Sequence, residues 1–456
     1  MKAKMKKSLL LPLTVIMGVF LLAGLPAQAG DPTVIRDTEI ENIMNQWGAP
    51  IFKAAEISPD NVHVILVQSD DINAFVAGGA NIFFYTGLLT KTENPQEIIG
   101  VLAHELGHIS GGHLIATRDA MERATYESII GTIIGIGAAI ATGDGGAAVA
   151  VGSGATGVAQ RRFLAHSRVN ESSADQAALS YFEKAELSSN GLASFMKKLE
   201  SEELLPATQQ SEYVRTHPIT RNRIDALEAR AQTSPYRDKP FPAEWVEQHA
   251  RLKAKLIGFI NPGRVPWEYD DRDKSIPANY ARAIAAYRQN HVEEAIKQID
   301  ALLVQEPENP YFLELKGQML IDFGRVAEGI PYYRRAVEIL GKAPLIRIAL
   351  GHALLESAEG SNNNAGLQEA ITQLDRALQD EPRSARAHRL IATAYGRTGK
   401  ENLARIHLAE EAVLQNNLPY AKQQAEAALK NVEKGSREWI QARDILDHIE
   451  NIENKG

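Results

Sequence analysis

At 456 residues, with 44% hydrophobic and 23% charged residues, the chain has the balance of ordinary globular protein and room for two or three domains. It contains no cysteine, which excludes disulfides, thiolate nucleophiles and thiolate metal sites, so any metal must be held by histidine and carboxylate. A net charge of −8 argues against nucleic acid as a partner.

In chain order, the first signal is at the amino terminus. Lys2, Lys4, Lys6 and Lys7 precede an apolar run from Leu9 to Leu25 that ends in Ala27-Gln28-Ala29, a small-x-small cleavage pattern. This predicts a secretory signal peptide over residues 1–29, cut after Ala29. Gly24 and Pro26 disfavour a retained anchor helix, and no cysteine follows to carry a lipid. Removing four lysines lowers the basic count from 49 to 45 against 57 acidic residues, so the processed chain is near −12. A bacterial type of signal on a disulfide-free chain points to the periplasm.

The next two hundred or so residues mix periods. His63-Val-Ile-Leu-Val67 and Ala80-Asn-Ile-Phe-Phe-Tyr85 read as strands, and the rest is helical in pattern. Asn94, Pro95 and Glu97 supply an N-cap, a proline at the first helical position and an acid at the third, so a helix begins there. On that helix Ile98, Ile99, Leu102, Leu106 and Ile109 form one apolar stripe. His104 and His108 fall on the opposite side, about 40° apart. Two imidazoles that point the same way are what a tetrahedral metal needs from one helix, and Glu105, one position round, reaches a water at that metal. A longer pattern with a third histidine would require it at position 114, where Leu114 stands; His113 comes one place early and reads as structural.

Between Glu127 and Arg161 the only charge is Asp144, and the apolar run Ile129 to Ala141 is shorter than the roughly 20 residues of a membrane span. Residues 129–158 are expected to form a helical flap or hairpin, packed over the cleft or in peripheral contact with a membrane surface. In Asn170-Glu-Ser-Ser-Ala-Asp175, Glu171 and Asp175 are i and i+4 on a second helix and share a face. Glu171 is the candidate third ligand, and Asp175 the acceptor for the free N–H of a ligand imidazole.

Thr233-Ser-Pro-Tyr236 and Asn261-Pro-Gly-Arg-Val-Pro266 are turn-rich connectors. Beyond them, Glu293-Glu-Ala-Ile, Ala327-Glu-Gly-Ile, Gln368-Glu-Ala-Ile and Asn402-Leu-Ala-Arg recur at the phase of a helical repeat, the third displaced by an insertion near Ser361-Asn-Asn-Asn364. A period of about 34 residues is that of tetratricopeptide repeats. Four such repeats, capped by an amphipathic helix near Trp439, would stack into a curved solenoid with a concave face for a protein partner.

Asn73-Ala-Phe-Val-Ala-Gly-Gly-Ala80, Phe84-Tyr-Thr-Gly-Leu-Leu89, His104-Glu-Leu-Gly-His-Ile, Glu171-Ser-Ser-Ala-Asp, Thr216-His-Pro and Arg223-Ile224 together resemble the HtpX and CAAX-prenyl-protease type of zinc metallopeptidase. The motifs cover about residues 60–225. The membrane-bound members of that family carry several transmembrane helices, and this chain departs from them in having none that is convincing. The resemblance implies a mostly α chain: an α+β zincin-type (gluzincin) domain with a small sheet over 30–255, a linker over 256–277, and an α-solenoid of tetratricopeptide repeats over 278–456. It implies Zn2+ held by His104, His108 and Glu171, with Glu105 as the base. Read alone, His217 before Pro218 is a turn histidine; the resemblance places it near the metal, able to take the open coordination position and make the resting enzyme latent.

The expected function is a periplasmic zinc endopeptidase acting on misfolded or misassembled outer-membrane proteins, with its repeats docking on the barrel assembly machinery. Substrate is expected to bind as an added strand along the edge formed by Ala80 to Tyr85, with Gly78 and Gly79 keeping that edge approachable. The alternative is a chaperone or adaptor in which the repeats bind proteins and the metal site is latent or structural. Glu105 favours the first, because a purely structural site has no use for that acid.

Overall fold

The computed structural model describes residues 33–113, 168–206, 208–360 and 363–454; the expected signal peptide and the 129–158 segment lie outside them. Four short strands form one sheet: β1 (Thr33–Ile35), β2 (His63–Gln68), β3 (Ala74–Ala77) and β4 (Asn81–Tyr85), in the order β1-β2-β4-β3. β2 and β4 run parallel, with Leu66 opposite Phe84, and the outer pairs are antiparallel. The expected edge strand therefore lies inside the sheet. β4 is paired on both sides, because Gly78 and Gly79, at φ 61° and 99°, turn the chain back and lay β3 outside it. Among the described residues the outermost strand beside the site is β3, and its residues are buried.

Helices cover the sheet and make up the rest of the first half: α1 (Thr38–Ala54), α2 (Thr86–Lys91), α3 (Pro95–Ser110), α4 (Arg168–Lys184), α5 (Asn190–Leu199), α6 (Glu212–Thr216), α7 (Arg221–Thr233) and α8 (Ala243–Ile260). α3 starts as its sequence dictates. The Asn94 side chain accepts from the Glu97 amide, and the Glu97 carboxylate reaches back to accept from the Glu93 amide at 2.9 Å. Its apolar stripe, Ile98, Ile99, Leu102 and Leu106, is buried in one core with Trp47, Ile51 and Phe52 of α1 and Phe84 of β4. The opposite face is buried too, so α3 is a central helix enclosed on all sides rather than an amphipathic surface one.

After a short helix, α9 (Val265–Glu268), the second half is a succession of paired helices, as the repeat spacing predicts. The pairs are α10 (Ile276–Arg288) with α11 (Val292–Gln305), α12 (Pro310–Asp322) with α13 (Val326–Leu340), α14 (Pro344–Ser357) with α15 (Asn364–Asp380), and α16 (Ala385–Arg397) with α17 (Glu401–Leu414). The extra residues of the third repeat fall between α14 and α15. Two helices follow the fourth pair rather than one, α18 (Leu418–Leu429) and α19 (Arg437–Glu453), and they close the core with Ala421, Ala425, Ile445 and Ile449. α8 runs unbroken through position 255 and packs on α10, so no loop falls at the expected end of the first domain.

The two halves are joined by buried charge. Glu39 of α1, wholly buried, accepts from the Tyr280 hydroxyl of α10 at 2.9 Å and faces Arg251 at 2.9 Å and Lys255 at 3.2 Å, both on α8. Lys255 also meets Asp37 at 2.7 Å, and the Arg251 guanidinium lies over the Phe312 ring of α12. Farther along the solenoid, Arg36 bridges Glu41 and Glu381. A buried pair stabilises little in itself, but removing one partner strands the other. Lys255→Met is therefore expected to cost about 3–5 kcal/mol, read as a lowered denaturant midpoint. Lys239→Met, which breaks an exposed 3.5 Å pair with Glu186, is expected to cost about 1 kcal/mol or less.

Candidate metal centre

The cluster is built by three elements. α3 presents His104 and His108 one turn apart, with their Nε2 atoms 3.2 Å from each other. α4 brings in Glu171, whose Oε2 is 3.4 Å from His104 Nε2 and whose Oε1 is 3.4 Å from His108 Nε2. This approach depends on Gly107. A Cβ there would stand 2.7 Å from the Ala174 carbonyl oxygen and 2.9 Å from its Cα, so only glycine lets α3 and α4 close to this distance. The third element is the end of α6, where His217 caps the helix and puts Nδ1 3.2 Å from Glu171 Oε2 and Nε2 3.3 Å from the Ala74 carbonyl of β3. Tyr213 stacks on the His217 ring at 4.6 Å.

One ligand atom from each of His104, His108, Glu171 and His217 lies within 4.8 Å of the others, and all four residues are buried. This is the candidate metal site. Its donors, three imidazoles and a carboxylate, are those that zinc and its neighbours in the first transition row accept. The electrostatics suit a cation. Burial alone would lower the His104 imidazole, but hydrogen bonds to Asp175 and Glu171 outweigh it and lift it to about 10. Burial, with repulsion from His104 and His217, outweighs Glu171 and presses His108 down to about 3. Despite burial, the imidazoles around it hold Glu171 well below the usual carboxylate range. The cluster thus concentrates positive charge at one point, which a divalent ion would take over from a proton.

Around this group lies a second layer of polar contacts. Asp175 Oδ1 stands 2.9 Å from His104 Nδ1. Arg223 of α7 forks onto Asp175 at 2.7 and 2.9 Å and reaches Glu171 Oε2 at 3.0 Å, so one guanidinium balances both carboxylates. The sequence marks Arg223 only as an arginine next to Ile224, on what the structure shows to be the buried face of α7. Glu105 is wholly buried, both of its oxygens lack a hydrogen bond, and burial raises its carboxyl. A buried carboxylate without a hydrogen bond is costly, and here His217 Nε2 stands 3.5 Å from its Oε1.

Known proteins with these features can now be compared. Residues 35–231 match peptidase family M48, and residues 280–344 match the tetratricopeptide repeat. The chain is 23% identical over 434 residues to the beta-barrel assembly-enhancing protease of Escherichia coli K12, covering 93% of this chain and 86% of that one. It is 23% identical over 447 residues to the protein of the same name from Yersinia pestis, covering 96% and 88%. Metalloprotease YcaL of Escherichia coli K12 is 27% identical over 169 residues, 36% of this chain and 63% of that one. The HExxH helix and the acid on α4 thus fall within the stretch that matches the M48 peptidase family, and α11 to α13 within the stretch that matches the tetratricopeptide repeat. With donors on two helices and a loop, the purified protein should bind about one divalent ion per chain. His104→Ala, His108→Ala and Glu171→Ala are each expected to abolish stoichiometric binding, measured as metal content after dialysis.

Proposed function

We propose that this chain, an M48-type metallopeptidase domain joined to tetratricopeptide repeats, is a periplasmic zinc-dependent endopeptidase that degrades misfolded or misassembled outer-membrane proteins, with its repeats docking on the assembly machinery. The observation that carries the enzymatic part is Glu105: a buried carboxylate with no hydrogen bond, beside a donor set of His104, His108 and Glu171. Relatives named for beta-barrel assembly that align over nearly the whole chain support the substrate class and the compartment. Among the described residues no helix is long and apolar enough to cross a membrane.

Zinc, when bound by His104, His108 and Glu171, would supply a Lewis acid for a water and for the scissile carbonyl. The chain's own residues do the rest. Glu105, raised by burial, takes a proton from the attacking water and returns it to the leaving amine. Asp175 holds His104 in the tautomer that leaves Nε2 a ligand, and Arg223 keeps Asp175 ionised. The substrate backbone pairs with the outer edge of β3, the strand whose Ala74 carbonyl meets His217. The residues of β3 are buried, so that edge opens only when the chain around it yields. His217, on Glu171 and Ala74 at once, is the group that must leave.

Glu105→Gln keeps shape and removes the base. It should fold, retain zinc and lose cleavage of an unfolded barrel protein by several orders of magnitude; turnover at the wild-type rate would sink the mechanism. His217→Ala should keep zinc on the other three ligands and cleave faster and less selectively, including itself. Slower cleavage with zinc retained would instead make His217 a stabiliser of the developing oxyanion.

A further inference from the structure

The third histidine of the cluster, His113, is left over by the metal centre. It is 7% exposed, although it lies beyond the end of α3, and its Nδ1 stands 2.9 Å from His108 Nδ1 with the rings edge to face. Two glycines bring it there. Gly112 has φ 63°, a left-handed turn that sends the chain back towards the helix. At Gly111 a Cβ would lie 2.5 Å from His113 Nε2, in the space that the ring occupies. The stretch Ile109-Ser-Gly-Gly-His113 is thus shaped to fold one imidazole onto another.

We propose that His113 is a positioning residue for the metal: its neutral imidazole accepts the Nδ1–H of His108 and so holds His108 Nε2 towards Glu171 and the ion. This rests on the metal-centre reading above. The chemistry requires it of some group. His108 can offer Nε2, which faces His104 and Glu171, only in the tautomer that carries its proton on Nδ1, and that proton needs an acceptor in a buried site. His104 solves the same problem with the Asp175 carboxylate. His108 solves it with an uncharged acceptor, so the two ligand histidines are oriented by different chemistry. A second carboxylate here would have added a negative charge beside Glu171, Glu105 and Asp175 in a buried space where Arg223 already balances two of them.

The test is zinc affinity of the full processed chain, measured by competition with a chromophoric chelator, with thermal unfolding of the metal-free protein as a check on the fold. His113→Leu keeps bulk and removes the acceptor, and should weaken zinc about 10–100-fold. His113→Asn places an oxygen acceptor close to where Nδ1 stood, and should restore binding to within a few-fold of wild type. Gly111→Ala leaves His113 in the chain but pushes its ring off, and should weaken zinc in the same direction as His113→Leu; should the leucine variant not fold, this variant and the asparagine one carry the comparison. Equal loss in His113→Leu and His113→Asn, or no loss in His113→Leu and Gly111→Ala, would overturn the assignment while leaving the metal centre intact. Failure of the wild-type chain to bind zinc would overturn the metal centre itself, and this role with it.

Discussion

The arrangement turns on one buried carboxylate. Glu171 is fully excluded from solvent, yet well below the usual carboxylate range, and an ionised carboxylate survives in such a place only if positive or hydrogen-bonding groups surround it. Four side chains do so here: His104, His108, His217 and Arg223. They arrive from α3, from the end of α6 and from α7, so the requirement of a single charge decides how these elements meet α4. The same convergence that makes the carboxylate tolerable produces a point at which a divalent ion can be held.

Packing sets the precision. HExxH is a local pattern, but a metal site needs its third donor at a few ångström, and that distance is governed by how closely two helices approach. Gly107, between the two candidate ligand histidines, allows α3 and α4 to come nearer than any side chain would permit. Asp175 faces the outward nitrogen of His104, and His113 that of His108. Both oxygens of Glu105 are left without a hydrogen bond, with His217 Nε2 3.5 Å from Oε1.

The solenoid is tied into the same body through charge as well as apolar contact. Glu39, Lys255, Arg251 and Tyr280 form a network between α1, α8 and α10, and Arg36 reaches Glu381 at the end of the third repeat. Groups of this kind add less stability than apolar packing of equal size, but their geometry admits few alternative dockings. α8 runs from the first core into contact with the first repeat, and the turn-rich connector expected after Asn261 follows its end as a short helical turn, Pro262–Arg264.

Much of this was legible in the chain alone, and the division follows from the range of the interactions. His104, Glu105 and His108, the Asn94 cap and the helical repeat are written at spacings of three, four and about 34 residues, which local geometry converts directly into shared faces. The resemblance to the HtpX and CAAX-prenyl-protease type rests on the same kind of short motif. Beyond a helix turn the pattern carried less. β4 looked like an edge strand because its apolar run does not say which neighbours pair with it; the turn at Gly78 and Gly79 decided that. Arg223 and His113 had no local mark of their function, since a guanidinium 48 residues from Asp175 and an imidazole brought back by two glycines gain their partners only when the chain has folded. The sequence by itself determined which residue types were available to hold and activate a metal and on which helix two of them sit. The tertiary structure decided their company, because charge neutralisation and close packing act through space and not along the chain.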